Sequence, residues 1–161
     1  MSNDCGFTVM IEKSDVKLDV PGDADFDHLA VLWESAVRAT HRFLAEKDID
    51  HLRPVVREQY LPSAQLLGAR NANGEWLAFL GVGGDELEAL FVRPDMHRHG
   101  IGRMLAEHAI RELGVVRVEV NEQNPGAVAF YERMGFVVEG RSEVDGQGRA
   151  FPILKMRLKN A

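Results

Sequence analysis

The sequence predicts one α/β domain over residues 1–161, with helices packed against a mixed sheet. Three observations lead to this fold class. Apolar residues recur at helical spacing near the N-terminus, short strand-like segments with turn signals follow, and the C-terminal half alternates between strand and helix patterns. The chain is 45% hydrophobic and 27% charged, which is ordinary for a globular protein and unlike a disordered tail.

The N-terminal third predicts one strand followed by two helices. Partial alternation over Val9 to Asp19 indicates the strand. Pro21 to Asp25 interrupt this pattern before a first helix, whose apolar face is formed by Leu29, Leu32, Trp33 and Ala36. Asp50 is predicted to cap a second helix, with Pro54 near its first turn and Pro62 at its end.

The middle of the chain predicts an antiparallel meander of three strands. These strands are expected at Gln65–Arg70, Trp76–Val82 and Glu86–Val92. Asn73-Gly74 lies between the first two and is a strong hairpin signal, because both residue types tolerate positive φ. Pro94 marks the end of the third strand.

The remaining segment predicts a strand and two helices, followed by a closing hairpin. Glycines should end both helices, since glycine readily adopts the left-handed conformation that follows a helix. The expected elements are a helix over Ile101–Leu113 closed by Gly114, a strand over Val115–Val120, a helix over Pro125–Met134 closed by Gly135, and hairpin strands over Phe136–Val144 and Phe151–Leu158 around residues 145–148.

The composition indicates in which compartment the protein acts and which classes of partner it can bind. Cys5 is the only cysteine, so an internal disulfide is excluded and a reducing compartment is expected. No apolar run approaches the roughly 20 residues that span a bilayer, and residues 1–4 lack the features of a secretory signal, so we expect a cytoplasmic protein without membrane contact. The net charge of −6, without a basic block, argues against nucleic acid and mildly favours a cationic acceptor.

A glycine-rich turn after the third strand of the meander predicts a site for a pyrophosphate. Its glycines let the backbone approach a ligand closely, and the N–H groups at the start of the following helix favour an anion. Arg98 and Arg103 would add charge-assisted contacts, and His97 and His99 would donate if protonated. Taken alone, the turn is equally compatible with a plain strand-to-helix connection. The whole segment is His97-Arg98-His99-Gly100-Ile101-Gly102-Arg103.

Two other readings of this turn are disfavoured. A dinucleotide-binding fingerprint requires a small residue where Leu105 stands, and no phosphate-loop Gly-Lys-Ser/Thr is present. A metal site at His97 and His99 would need further ligands, but no Cys, Asp or Glu lies at ligand spacing, so no metal is expected.

A second informative segment begins at Asn124 and runs through the last predicted helix. Ala127, Phe130 and Met134 share one helical face and are expected to pack in the core. Tyr131 lies on the same face but differs in kind, because a buried phenol needs a hydrogen-bond partner. This tyrosine is therefore a candidate functional residue.

Three motifs follow one another at fixed spacing in the second half of the chain: Leu90-Phe91-Val92-x-Pro94, Gly100-Ile101-Gly102, and Asn124 followed by Phe130-Tyr131 and Gly135-Phe136. Their order and spacing closely resemble the GNAT superfamily of acetyl-CoA-dependent N-acetyltransferases. Within it the chain resembles a compact, single-domain bacterial branch, with which it shares Ala39-Thr40-His41-x-Phe43-Leu44. The resemblance implies a mixed, mostly antiparallel sheet with a splayed central strand pair and flanking helices.

The resemblance also implies a division of roles around acetyl-CoA as co-substrate. Backbone groups of β-strand residues would pair with the pantetheine arm, amides of the turn would hold the pyrophosphate, and Asn124 would contact the pantetheine. Tyr131 would protonate the departing CoA sulfur. The implied cofactor-binding residues are Leu90, Phe91, Val92, His97, Arg98, His99, Gly100, Ile101, Gly102, Arg103 and Asn124.

His97 departs from the family pattern, which usually has Arg or Gln three residues before the first glycine. Because backbone amides dominate this kind of anion site, we expect binding to survive the change. The substitution predicts an affinity for CoA that is lower or sensitive to pH, since a histidine changes charge near neutrality.

The general base has several candidates. An alkylamine has a pKa near about 10.4, so a group must remove its proton at neutral pH, often through water. Glu86 and Glu88 share one face of the strand that leads into the turn, and each is equally compatible with a plain solvated position. A lone histidine on a helix is more often structural than functional. Further candidates for the acceptor pocket are Thr40, His41, Asn121 and Glu122.

The sequence therefore predicts direct transfer of an acetyl group to a primary amine in a ternary complex. A covalent acyl-enzyme is not expected, because no Gly-x-Ser-x-Gly is present and the only cysteine lies near the N-terminus. The alternatives are an acetyl-CoA-binding sensor or regulatory subunit of the same fold, and a domain whose turn binds nothing. The acceptor, a small-molecule amine or an amine of a protein or peptide, is left open, as is a homodimer.

Overall fold

The computed structural model describes residues 15–160, which form a seven-stranded sheet with helices on both faces. The order of the strands in the sheet is β1-β2-β3-β4-β5-β7-β6. The strands are β1 Lys17–Asp19, β2 Gln65–Arg70, β3 Trp76–Gly83, β4 Glu86–Val92, β5 Arg117–Asn121, β6 Phe136–Ser142 and β7 Ile153–Leu158. The helices are α1 Phe26–Thr40, α2 Glu46–Pro54, α3 Leu61–Ser63, α4 Ile101–Glu112 and α5 Pro125–Arg133.

The central strands β4 and β5 form the parallel pair of an otherwise antiparallel sheet. Their pairing is limited to Glu86 with Arg117 and Leu87 with Val118. Beyond Leu87 the remainder of β4 is paired on one side, with β3. The predicted mixed, mostly antiparallel sheet with a splayed central pair is therefore confirmed.

Apolar side chains fill both faces of the sheet around β4. Leu90 and Val92 pack against the cluster under α4 and α5. Phe91, which points to the other face, packs against the cluster under α1. Because β4 is covered on both faces, its C-terminal end is held firmly between α1 and α4.

The second helix starts earlier than predicted, so the assignment of Asp50 as its cap is wrong. Ala45 precedes the helix in an extended conformation, and the Asp48 carboxylate accepts a hydrogen bond from the Ala45 N–H at 2.8 Å. Pro54 consequently lies in the last turn of α2. The next residues, Val55–Tyr60, form a wider π turn, since proline cannot donate its backbone hydrogen bond.

Other boundaries differ by a few residues from the predicted ones. The helical segment ends at Ser63, one residue after Pro62. The strand expected from Val115 begins at Arg117, and just before it the Val116 N–H donates to the Asp85 carbonyl at 2.8 Å. Within the predicted first strand, the part from Val9 to residue 14 lies outside the described residues, as does Cys5.

A partly buried ion pair connects α2 to the loop between β6 and β7. The Asp48 side chain is 7% exposed and contacts the Arg149 guanidinium, in addition to the Ala45 N–H. Asp48→Ala is expected to lower the free energy of unfolding by about 2 kcal/mol, because it removes a helix cap and leaves a partly buried cation unpaired. Urea denaturation measures this loss.

The matched control is Asp50→Ala in the same helix. Its carboxylate is 65% exposed and pairs with Arg53 at 3.0 Å on the surface, so the expected loss is below about 0.5 kcal/mol. Equal losses for the two variants would contradict the role given to Asp48.

Candidate active site

A cavity of about 520 Å³ opens where β4 and β5 separate. Four parts of the chain line it: the end of β4, the segment from Met96 through the glycine-rich turn to the start of α4, Asn124 with α5, and the end of α1. Sequence-predicted residues in the lining are Leu90, Phe91, Val92, His97, Arg98, Gly100, Ile101, Gly102, Arg103, Asn124, Tyr131, Thr40 and His41. The structure thus brings most of the predicted site residues together.

A β-bulge in β4 precedes the cavity. Ala89 pairs with Gly81 and Leu87 pairs with Val82, so Glu88 is the extra residue between two consecutive pairs. A bulge increases the local twist of a strand, which turns the end of β4 away from β5. The backbone groups of β4 that face the gap are therefore available to an extended ligand.

The glycine-rich turn has the geometry of an anion site. Arg98 and Gly100 have φ values of 68° and 79°, which turn the chain sharply before α4 begins. The first hydrogen bond of α4 runs from Met104 N–H to the Gly100 carbonyl at 3.0 Å, so the N–H groups of residues 101–103 have no partner within the helix. With the helix dipole behind them, these groups favour a negatively charged ligand.

Gly102 lies where the anion site meets the strand. A Cβ atom at this position would approach Val92 Cγ2 to 3.3 Å and Phe130 Cζ to 3.9 Å. The absent side chain therefore leaves open the space between α4 and β4, which is the passage from the turn to the gap between the strands.

The two histidines of the turn differ in placement. His97 Nε2 donates to the Val92 carbonyl oxygen at 3.1 Å, so its ring folds back onto the end of β4 at the cavity wall. His99 is exposed and lies outside the cavity lining. The side chain of Arg103 pairs with Glu107 at 3.1 Å, on the exposed side of α4.

Tyr131 brings a buried hydroxyl to the cavity from α5. The residue is 7% exposed, and its ring packs edge-on against Phe130 and Phe136 at centroid distances of 5.2 and 5.8 Å. Its hydroxyl makes no hydrogen bond to any residue between 15 and 160, and burial raises its pKa well above the usual range. The phenol therefore keeps its proton at neutral pH and lacks the partner that buried hydroxyls normally have.

Asn124 caps α5 at the same end of the cavity. Its Oδ1 accepts from the Ala127 N–H at 3.2 Å, and Pro125 occupies the first helical position. The cap fixes the start of α5 and so sets the position of Tyr131, less than two turns further on.

The predicted carboxylates lie beside the cavity and not in its lining. Tyr60 donates to Glu88 Oε1 at 3.3 Å. Burial raises the pKa of the Tyr60 phenol, and the Glu88 and Glu86 carboxylates add to the rise, so both carboxylates lie near the same phenol. Burial, followed by the nearby Glu119 carboxylate, raises the pKa of Glu86. Tyr60 was missed because only the folded chain brings it to β4.

The remaining predicted acceptor residues are engaged elsewhere. Glu122 forms a two-pronged ion pair with Arg141 at 2.8 and 3.0 Å, and this contact lowers the pKa of its carboxyl. Asn121 pairs with Ile153 at the end of β5. Neither residue lies in the cavity lining.

Within the described part of the chain, no three His, Cys, Asp or Glu side chains form a group that could bind a metal. Between residues 15 and 160, no helix has the length and apolar character to cross a membrane.

The chain resembles known acetyltransferases in sequence. Residues 62–138 match the model of the acetyltransferase (GNAT) domain family. The peptidyl-lysine N-acetyltransferase YjaB of Escherichia coli (strain K12) is 40% identical over 135 residues, which make up 84% of this chain and 91% of that protein.

The fold is also similar to those of solved acetyltransferase structures. The solution structure of apo YjaB from Escherichia coli matches with a TM-score of 0.83 and 36% identity, covering 91% of this chain and 99% of that one. PaiA N-acetyltransferase from Thermoplasma acidophilum, solved in complex with coenzyme A, matches with a TM-score of 0.69 over 88% and 98% of the two chains. At 21% identity, the second match shows the fold alone.

Proposed function

The chain belongs to the GNAT family of acetyltransferases and is an acetyl-CoA-dependent N-acetyltransferase; from this premise we propose that its acceptor is a lysine side chain of a protein or peptide. One observation carries the proposal. A single cavity joins an anion site, a strand with free backbone groups, a buried proton donor and a set of aromatic side chains.

The residues present fit acetyl-CoA. The open space at Gly102 and the free amides of residues 101–103 suit the pyrophosphate. The edge of β4 at Leu90–Val92, which β5 does not pair, suits the amide groups of pantetheine, although the Val92 carbonyl oxygen already accepts from His97. Acetyl-CoA supplies the acetyl group as an activated thioester. The chain's own contribution is to hold this arm against β4 and to direct the thioester toward Tyr131.

Tyr131 is assigned as the general acid and Glu88 as the general base. Tyr131 would donate its phenolic proton to the sulfur as the carbon–sulfur bond breaks. Glu88, through water, would take the proton that the amine releases as the carbon–nitrogen bond forms. The hydrogen bond from Tyr60 fixes the orientation of the Glu88 carboxylate.

Aromatic side chains support a lysine acceptor. The ring of His41 lies 6.4 Å from that of Phe91 and 5.4 Å from that of Phe43, which in turn lies 5.6 Å from Phe151. These rings lead from the cavity to the loop between β6 and β7. Such a wall suits an aliphatic stem that ends in an ammonium group, because aromatic faces attract cations and pack against methylene groups.

Glu88→Gln is expected to lower kcat about tenfold, because an amide cannot accept the amine proton and water must take over. The same change at Glu86 tests the other candidate, whose carboxylate lies 3.6 Å from Arg117 and is less available. Steady-state kinetics at saturating acetyl-CoA compare the two variants. A larger loss for Glu86→Gln would transfer the role of base to Glu86.

Three acceptors separate the possible substrate classes. The first is a peptide with one lysine and a blocked N-terminus, the second a lysine-free peptide with a free N-terminus, and the third spermidine. After incubation with acetyl-CoA, mass spectrometry should find the acetyl group on the first. Preferential acetylation of either of the others would overturn the lysine assignment.

A further inference from the structure

The end of α1 carries a chain of hydrogen bonds that is separate from Tyr131 and Glu88. The Thr40 hydroxyl lies 2.8 Å from the Ala36 carbonyl oxygen and 2.8 Å from His41 Nδ1. A carbonyl oxygen can only accept, so the single hydroxyl proton of Thr40 points to Ala36. His41 Nδ1 must therefore carry the imidazole proton and donate it to Thr40 Oγ1, which leaves a free lone pair on Nε2.

The surroundings of His41 keep this lone pair available. The half-buried ring lines the cavity between Phe43 and Phe91. Burial lowers the pKa of His41 to about 4, so the imidazole is neutral at physiological pH. Among residues 15–160, the hydrogen bond found for this ring is the one at Nδ1. A neutral nitrogen in such apolar surroundings needs a donor.

We propose that His41 Nε2 binds the acceptor by accepting a hydrogen bond from its amine N–H, and that Thr40 selects the tautomer that can do so. This inference rests on the proposed lysine acetylation. The opposite tautomer would present an N–H to the donating amine and would repel it. The lysine stem lies against Phe91 and Phe43, and the hydrogen bond to His41 fixes the direction of its terminal nitrogen.

Two substitutions of His41 separate binding from packing. His41→Phe keeps an aromatic ring at this position but has neither nitrogen. The KM for the lysine peptide should therefore rise about tenfold or more, while the Kd for acetyl-CoA changes less than about twofold. His41→Gln keeps an acceptor oxygen and should recover much of the loss. The control is His28→Gln, an exposed position near the start of α1, which should behave like the unsubstituted protein.

Equal increases in KM for both His41 variants, or a parallel loss of acetyl-CoA binding, would show that the ring only packs and would overturn the proposal. An unchanged KM in His41→Phe would do the same. If the unsubstituted protein acetylates spermidine or an N-terminus but no lysine, the proposed lysine acceptor is wrong. The tautomer of His41, which can be observed directly, then still tests whether Thr40 selects it.

The ring nitrogens can be observed directly by NMR. Long-range ¹H–¹⁵N spectra of the unsubstituted protein at neutral pH should show Nδ1 protonated and Nε2 unprotonated. Thr40→Val should yield a mixture of tautomers, whereas Thr40→Ser, which keeps the hydroxyl, should not. A protonated Nε2 in the unsubstituted protein would contradict the inference whatever the kinetics show.

Discussion

Gly102→Val should weaken the binding of acetyl-CoA by about 100-fold or more. Already the Cβ atom would come within 3.3 Å of Val92 Cγ2, and the two methyl groups beyond it would fill the passage between α4 and β4. Acetyl-CoA must cross this passage, with its pyrophosphate on the amides of α4 and its pantetheine on β4. With the passage filled, the ligand can keep only one of these two contacts. Calorimetric titration measures the effect.

A matched glycine separates this loss from general damage to the fold. Gly140→Val, in β6, places a side chain at an ordinary contact distance of 3.8 Å from Lys155, and neither residue belongs to the cavity lining. Its affinity for acetyl-CoA should remain normal. Thermal unfolding of both variants should show a cost from overpacking at Gly102 of about 1–3 kcal/mol. Normal affinity in a folded Gly102→Val protein would contradict the placement of the ligand.

Tyr131→Phe should lower kcat about 100-fold and leave the Kd for acetyl-CoA within about twofold of the original value. General acid catalysis contributes about 10²–10⁴-fold in enzymes, and a thiol is a fair leaving group, so the lower end of that range applies. The substitution keeps the ring that packs against Phe130 and Phe136. Single-turnover and steady-state kinetics with a lysine peptide measure the change.

Tyr131→Phe is expected to lower kcat but not the free energy of unfolding. Because the Tyr131 hydroxyl is buried and makes no hydrogen bond to the described residues, its removal should not destabilise the fold and should stabilise it by up to about 1 kcal/mol. A hydroxyl kept without a partner is expected where its function is to donate to a ligand. Wild-type turnover in Tyr131→Phe would exclude the role of acid.

The structural elements that could be predicted from the sequence are those determined by residues close together in the chain. The meander strand β4, the turn around Gly100 and the cap at Asn124 each follow from residues close together in the chain. The start of α2 was missed because the cap at Asp48 gains its strength from Arg149, which only the folded chain brings near.

The functional contacts divide in the same way. Tyr131 could be recognised in the sequence as a polar residue on an apolar helical face. Tyr60 contacts Glu88 from the π-helical segment Val55–Tyr60, which no local sequence pattern predicted. His41 was a candidate together with Thr40, from the motif that the chain shares with the compact bacterial branch. The tautomer of its ring depends on two hydrogen bonds of the Thr40 hydroxyl, one with the Ala36 carbonyl and one with His41 Nδ1, and these can be identified only from atomic positions.

The central claim is that acetyl-CoA lies in the cavity between β4 and β5, with its pyrophosphate on the amides at the start of α4. Titration of ¹⁵N-labelled protein with acetyl-CoA, followed on the backbone amides, tests it most directly. Saturable shifts should concentrate at Leu90–Val92 and at residues 98–104, with little change in β1 and β2. Binding without shifts at the turn, or no binding at all, would contradict the claim.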